Sequence, residues 1–121
     1  MTKRILVVED TEDNRRIIRD LLTAAGYALI EATDGAEGVA LAQKERPDLV
    51  LMDIQLPEMD GYEATRRIRA IPELAKVPII AVTSYALSGD DAKARAAGCD
   101  DYVAKPFSPR QLLAKIRQYL P

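Results

Sequence analysis

Side chains that can handle phosphate or a metal ion follow four short apolar runs of this sequence. They are, in chain order, Glu9, Asp10, Asp53, Thr83 and Lys105. Carboxylates bind hard cations or attack phosphorus, a hydroxyl donates hydrogen bonds, and an ammonium group pairs with phosphoryl oxygens. The chemistry that is possible depends on whether the fold brings these positions together.

Asp53 stands where an apolar side chain would be expected. It directly follows the apolar run 49–52, and Ile54 and Leu56 resume the apolar character after it. Burying a lone carboxylate in an apolar medium costs several kcal/mol. We therefore expect either a partner that neutralises Asp53 or a strand end that opens into a site.

The elements that must position these residues are short strand-like runs that alternate with amphipathic helical segments. The runs cover residues 4–8, 28–32, 48–52, 78–83 and 101–104. Apolar residues recur between them at helical spacing, and they are Ile17, Ile18, Leu21, Leu22 and Ala25, then Val39, Leu41 and Ala42, then Ile68 and Ile71, and finally Leu112, Leu113, Ile116 and Leu120. This alternation predicts an α/β fold with a five-stranded parallel sheet and five helices on both faces.

Helix-start signals support this division of the chain. Capping-box patterns pair Asp60 with Glu63, Ser108 with Gln111 and, more weakly, Ser88 with Asp91. Pro109 occupies the first helical position after Ser108, where proline is favoured. The segment 88–97 contains alanines in place of large apolar residues, so we expect this helix to pack thinly.

In parallel sheets of this kind, ligands bind outside the carboxyl ends of the strands. The five polar side chains named above, from Glu9 to Lys105, should therefore meet at one edge of the sheet. Three converging carboxylates repel one another unless a cation joins them, and oxygen ligands without histidine or thiolate favour Mg²⁺. The arrangement suggests that Asp53 attacks an incoming phosphoryl group while a bound metal ion counters its charge.

Composition excludes several other classes of function. The 121 residues are 48% hydrophobic and 30% charged, which predicts one folded domain over 1–121 and argues against disorder. A net charge of −2 offers no electrostatic footprint for nucleic acid or an anionic membrane. The chain contains no histidine, which removes Ser-His-Asp triads and histidine metal sites.

The N-terminus and the apolar runs indicate the cellular compartment, and the cysteine count excludes an internal disulfide. Four apolar residues precede the first acidic pair, too few for a signal-peptide core, and no run approaches the ~20 apolar residues of a membrane span. We expect a cytoplasmic protein. The single cysteine, Cys99, is expected to be a small buried residue.

Four motifs together resemble the receiver domain of two-component response regulators, the chemotaxis-regulator-like family. They are Glu9-Asp10, "LVLMDIQLPEMDG", "AVTSYA" and "AKPF", in this order. The resemblance runs from Arg4 to Leu120. It implies a flavodoxin-like sheet of strand order 2-1-3-4-5, for which this family is itself a standard example.

The resemblance also implies a role for each acidic position. Asp53 matches the phospho-acceptor, Asp10 a direct Mg²⁺ ligand, and Glu9 the neighbouring acid that holds a metal-bound water. The backbone carbonyl of Gln55 would complete the protein ligands. Glu9 departs from the aspartate that is commoner in the family.

The remaining matches concern the response to phosphorylation. Thr83 matches the switch hydroxyl, Tyr102 the aromatic residue that changes rotamer, and Lys105 the lysine that pairs with a phosphoryl oxygen. Pro106 matches a proline that follows a cis peptide bond. Ser84 stands where a small alanine is frequent, so it puts the lifetime of the phosphate in doubt and not the chemistry.

The implied function is that of a phosphorelay receiver. Its phosphodonor would be a sensor histidine kinase or a histidine phosphotransfer protein, and its output a changed surface that binds a downstream protein. The chain would not be an enzyme that acts on a separate substrate, although Mg²⁺-dependent autophosphorylation and autodephosphorylation are expected. Because the sequence stops soon after the last helical segment, we expect a stand-alone receiver. The alternative is a receiver fragment of a larger regulator or hybrid kinase.

Three rival functions fit the residues less well. Phosphatases with an aspartyl-phosphate intermediate place the nucleophile in Asp-x-Asp-x-Thr after the first strand, whereas this first strand ends in "EDTED". A flavin or nucleotide module needs a phosphate-cradling loop there, and four acids would repel the phosphate. A degenerate receiver that only binds proteins would not need the complete set of acids, threonine and lysine.

Overall fold

The computed structural model describes residues 2–84 and 90–121, and within these ranges five strands alternate with five α-helices. The strands are β1 (Arg4–Val8), β2 (Ala28–Ala32), β3 (Leu49–Asp53), β4 (Ile79–Thr83) and β5 (Asp101–Ala104). The helices are α1 (Glu12–Ala24), α2 (Gly35–Glu45), α3 (Gly61–Arg69), α4 (Asp90–Ala97) and α5 (Pro109–Tyr119). No helix in these ranges is long and apolar enough to cross a membrane.

All strand pairs are parallel, and the sheet order is β2-β1-β3-β4-β5, which confirms the predicted fold class and topology. The register aligns the carboxyl ends of the central strands. Val8 lies opposite Met52, Asp53 opposite Val82, and Thr83 opposite Ala104. Residues that follow these strands therefore emerge at one edge of the sheet.

The core forms two layers because side chains alternate between the two faces of each strand. One layer joins the sheet to α2, α3 and α4 and includes Leu6, Val8, Val50, Met52, Ile68, Ile79, Ala81 and Ala94. The other joins it to α1 and α5 and includes Ile5, Val7, Ile18, Leu22, Leu49, Leu51, Ile80, Leu112 and Ile116. Every residue of β3 and β4 is buried, as their continuous apolar runs predict.

Among the helix starts that the structure describes, three have a side-chain cap. The side chain of Asp60 accepts a hydrogen bond from the Glu63 N–H at 2.9 Å, and Ser108 Oγ accepts one from Gln111 at 3.4 Å, which confirms both predicted caps. A third cap, Asp34 at the start of α2, was not predicted. The predicted cap at Ser88 lies outside the described residues. Helix α4 is described from Asp90 onwards.

Other element boundaries differ little from the prediction. Strand β3 begins and ends one residue later than expected, so Asp53 is its last residue. Ile71 lies beyond α3 and starts a short 3₁₀ turn over Pro72–Leu74 that was not predicted. Ile17, expected on the apolar side of α1, is 47% exposed because α1 buries Ile18 and Leu22 instead.

Cys99 is buried and lies 3.7 Å from the Thr65 hydroxyl. Burial raises the pKa of the Cys99 thiol because the thiolate form would lose hydration. The prediction of a small buried cysteine is confirmed.

Gly61 holds the start of α3 against the end of β3. A Cβ atom at this position would lie 2.3 Å from the Asp53 carbonyl oxygen and 2.7 Å from the Ile54 Cα. Both are backbone atoms, which cannot move aside as the end of a flexible side chain can. The close approach of the two backbones therefore requires glycine at this position.

We expect Gly61→Ala to lower the free energy of unfolding by about 1–3 kcal/mol, the usual cost of forcing a methyl group into a packed site. Urea denaturation measures this loss. Gly26→Ala is the comparison, because Gly26 has open space around its Cβ position and only its positive φ of 94° disfavours alanine. Equal stability of Gly61→Ala and the wild type would show that the two backbones can separate at no cost.

Candidate functional site

The site lies at the carboxyl edge of the sheet, where the predicted side chains come together. Asp53 ends β3, Thr83 ends β4, and Glu9 and Lys105 directly follow β1 and β5. Backbone bonds continue the sheet beyond these ends. The Glu9 N–H donates to the Ala32 carbonyl at 3.0 Å, and the Lys105 N–H donates to the Thr83 carbonyl at 2.7 Å.

Lys105 supplies the partner that the buried Asp53 carboxylate requires. Its ammonium Nζ lies 3.1 Å from Asp53 Oδ2 and 3.0 Å from Glu9 Oε1, and both acids are almost completely buried. Burial by itself lowers the pKa of Lys105, but the hydrogen bond to Glu9 and the charges of both acids outweigh it and raise this pKa. The ammonium therefore stays charged and bridges two carboxylates.

The Glu9 side chain is held from several sides. Asn14 Nδ2 donates to Glu9 Oε1 at 3.1 Å, and the Thr11 N–H donates to Glu9 Oε2 at 3.3 Å. The guanidinium of Arg15 donates to the Glu9 carbonyl at 2.7 Å. Glutamate is one methylene longer than aspartate. The bonds from Asn14, the Thr11 N–H and Lys105 fix this longer side chain, and Arg15 holds the Glu9 backbone.

Glu9, Asp10 and Asp53 form an acidic cluster in which one carboxylate oxygen of each residue lies within 4.8 Å of the other two. Asp10 is the exposed member, yet partial desolvation, followed by the hydrogen bond and charge of Glu9, raises the pKa of Asp10. The cluster carries three negative charges against the single positive charge of Lys105. Its excess charge and its oxygen-only ligands fit a hard divalent cation.

Gln55 connects the acidic cluster to the end of β4. Its backbone N–H donates to Asp53 Oδ1 at 3.1 Å. Its side-chain Nε2 donates to the Thr83 hydroxyl, and its Oε1 accepts from the Ser84 N–H, both at 3.1 Å. Only the Gln55 carbonyl was predicted to have a role, and the side-chain contacts were not, because nothing in the sequence relates residues 28 positions apart.

Thr83 and Tyr102 lie on the same face of the sheet. The register places Tyr102 opposite Ala81, two residues before Thr83, and side chains two residues apart share a face. Thr83 is buried, whereas Tyr102 is half-buried and packs against the core layer on the α2–α4 side. Tyr102 also lines a surface cavity of about 580 Å³ between α4, β5 and α5, which we call the output face.

A groove of about 540 Å³ opens beside Lys105, on the other side of the site. We call it the α1 groove, and it is lined by Asn14, Ile17, Ser84, Lys105, Pro106, Phe107 and Pro109. Ile17 is the one exposed large apolar side chain among the described residues. The Lys105–Pro106 peptide bond on its rim is cis, as the family resemblance implies.

Comparison with known proteins gives one consistent answer. The family model of the response regulator receiver domain matches residues 5–117. The polar-differentiation response regulator DivK of Brucella ovis is 44% identical over 120 residues, which cover 99% of this chain and 98% of that protein.

Solved structures agree with this family. The Vibrio cholerae chemotaxis protein CheY4 superimposes with a TM-score of 0.93 at 29% identity, covering 98% of this chain and 99% of that one. The receiver domain of the sensor histidine kinase PA1611 from Pseudomonas aeruginosa, solved with a magnesium ion coordinated in its active site cleft, gives a TM-score of 0.92 at 41% identity and covers 98% of both chains. This chain therefore belongs to the response regulator receiver domain family and is a receiver of phosphorelay signal transduction.

Proposed function

We propose that Asp53 is the phospho-acceptor of this receiver. The observation that carries the proposal is the buried Asp53 carboxylate, paired with the Lys105 ammonium at 3.1 Å inside a cluster of two further acids. A carboxylate oxygen of Asp53 forms a bond to phosphorus, and the bond from phosphorus to the donor nitrogen of a phosphohistidine breaks. The electron pair of the broken bond returns to the imidazole.

Glu9, Asp10 and Asp53, with the backbone carbonyl of Gln55, are the residues that would hold Mg²⁺. When bound, the ion would supply positive charge against the phosphoryl oxygens. Lys105 already carries a positive charge at this place, so its ammonium can pass from the carboxylates to a phosphoryl oxygen on Asp53. The same residues would support autophosphorylation from small donors and hydrolysis of the acyl phosphate by water.

The phosphodonor that we propose is a histidine kinase or a histidine phosphotransfer protein, docked in the α1 groove. A donor protein has to bring its phosphohistidine to Asp53, and this groove opens directly beside Lys105. The exposed Ile17 gives the groove an apolar contact that a donor surface can bury.

The response that we propose runs from Thr83 to Tyr102. The Thr83 hydroxyl would turn towards a phosphoryl group on Asp53 and vacate space on the sheet face that it shares with Tyr102. The Tyr102 ring would then move inwards and reshape the output face, where a downstream protein binds. A phosphoryl group shifts this equilibrium only through its stronger interactions with one of the two arrangements.

Acetyl phosphate with Mg²⁺ should add one acid-labile phosphoryl group to the wild type and none to Asp53→Asn, as measured by intact mass. Asp13→Asn removes an exposed carboxylate on α1 and is the matched control that should still be labelled. EDTA should abolish labelling of the wild type. Metal-dependent labelling of Asp53→Asn would show that another residue is the acceptor.

Asp10→Ala should weaken Mg²⁺ binding by roughly ten-fold or more, because loss of even an indirect metal contact commonly has that effect. Titration calorimetry measures the affinity in the absence of any phosphodonor. Asp13→Ala, an exposed acid on the same side of the molecule, should bind Mg²⁺ like the wild type. Unchanged affinity in Asp10→Ala would contradict the proposed ligand set.

Ile17→Glu should slow phosphotransfer from a phosphorylated histidine phosphotransfer protein by about ten-fold, since charge in an apolar contact removes a binding anchor. The rate of labelling by acetyl phosphate should stay unchanged, because this small donor needs no docking surface. Thr23→Glu places the same charge near the end of α1, away from the groove, as the control. Normal transfer to Ile17→Glu would place the donor on another surface.

A further inference from the structure

We infer that the Gln55 side chain is a positioning residue that holds Thr83 and Ser84 in the unphosphorylated arrangement and has to release them when the receiver is activated. The inference rests on the proposed function, because it concerns how phosphorylation of Asp53 reaches Thr83. It deepens that function by assigning a residue that sets the balance between the two arrangements.

The chemistry of its two partners fixes the orientation of the Gln55 side-chain amide. The Ser84 backbone N–H can only donate, so the atom facing it at 3.1 Å must be the carbonyl oxygen Oε1. The Nε2 group then faces Thr83 and donates to its hydroxyl oxygen, also at 3.1 Å. Both distances lie within the ordinary range for hydrogen bonds between nitrogen and oxygen.

Together with the backbone bond from Gln55 to Asp53, these two bonds join parts of the site that belong to different faces of the sheet. Asp53 continues the face of Leu49 and Leu51, which packs against α1 and α5, whereas Thr83 continues the face of Ile79 and Ala81. Gln55 contacts the Asp53 carboxylate through its backbone and the end of β4 through its side chain. It therefore connects the acceptor to the switch hydroxyl before any phosphate is present.

Because Thr83 is buried, these hydrogen bonds affect the equilibrium between the two arrangements. Thr83 is 1% exposed, so its hydroxyl cannot exchange the Gln55 contact for bulk water without moving. An interaction that exists in one arrangement and is lost in the other shifts their equilibrium towards the first. The net contribution of one neutral hydrogen bond corresponds to a roughly two- to ten-fold shift in such an equilibrium.

Gln55→Met tests the inference because methionine keeps the length of the side chain and removes both hydrogen bonds. The readout is the position of the Tyr102 to Ala104 amide resonances between those of the free wild type and those of the wild type saturated with beryllofluoride and Mg²⁺. Free Gln55→Met should be displaced along this line towards the saturated position, by at least the roughly two- to ten-fold increase in the active population that loss of one hydrogen bond gives. Gln118→Met, the same change on the exposed side of α5, should superimpose on the free wild type.

A second comparison separates positioning from a general structural effect. If Gln55 acts through Thr83, the displacement should disappear when Gln55→Met is combined with Thr83→Ala and compared with Thr83→Ala alone. A displacement of the same size in that background overturns the inference, as does a free Gln55→Met spectrum at the wild-type position.

The proposed function and the positioning role of Gln55 can be tested separately. If beryllofluoride shifts the wild-type amides but Gln55→Met stays at the free position, the positioning role is wrong and the proposed function stands. If beryllofluoride leaves the wild-type amides unmoved, the proposed response to an acyl-phosphate mimic is wrong and the role of Gln55 falls with it.

Discussion

The contact on which this site depends is the bridge that the Lys105 ammonium makes between Glu9 and Asp53. Two almost completely buried carboxylates would repel each other strongly without it, and both face the same end of the sheet. The bridge leaves the acidic cluster with a net negative charge. It thus makes burial of the acids tolerable while leaving an excess of acidic groups that could hold a divalent cation.

The sheet topology explains why this bridge forms. Glu9 and Lys105 are 96 residues apart in sequence, and they meet because β1 and β5 point the same way on either side of the β3–β4 pair. Gly61 adds a local constraint, since the start of α3 touches the Asp53 backbone and fixes where β3 must end. The positions of these side chains thus follow from the packing of the backbone and not from the reaction that the site could carry out.

Most of this arrangement could be predicted from the order of apolar runs and the residues that end them. The predicted strand ended at residue 52, whereas β3 ends at Asp53. This difference does not change the predicted site, because both boundaries place Asp53 at the same edge of the sheet. The Gln55 contacts with Thr83 and Ser84 could not be predicted, since they depend on side-chain reach between two strands. Ile17 was misplaced for a related reason, because helical spacing marks a broad apolar stripe and does not show which edge of it the sheet covers.

The sheet also separates two surfaces. The α1 groove and the Asp53 carboxylate belong to the face covered by α1 and α5, and Thr83 and Tyr102 belong to the opposite face. On the surfaces proposed above for the donor and the target, substitutions that change which donor is accepted would lie on one side of the sheet, away from the residues proposed to contact a target protein. On that assignment, a duplicated copy of such a chain could acquire a new phosphodonor while keeping its target, because the two recognition surfaces lie on opposite faces of the sheet even though Gln55 connects them at the site.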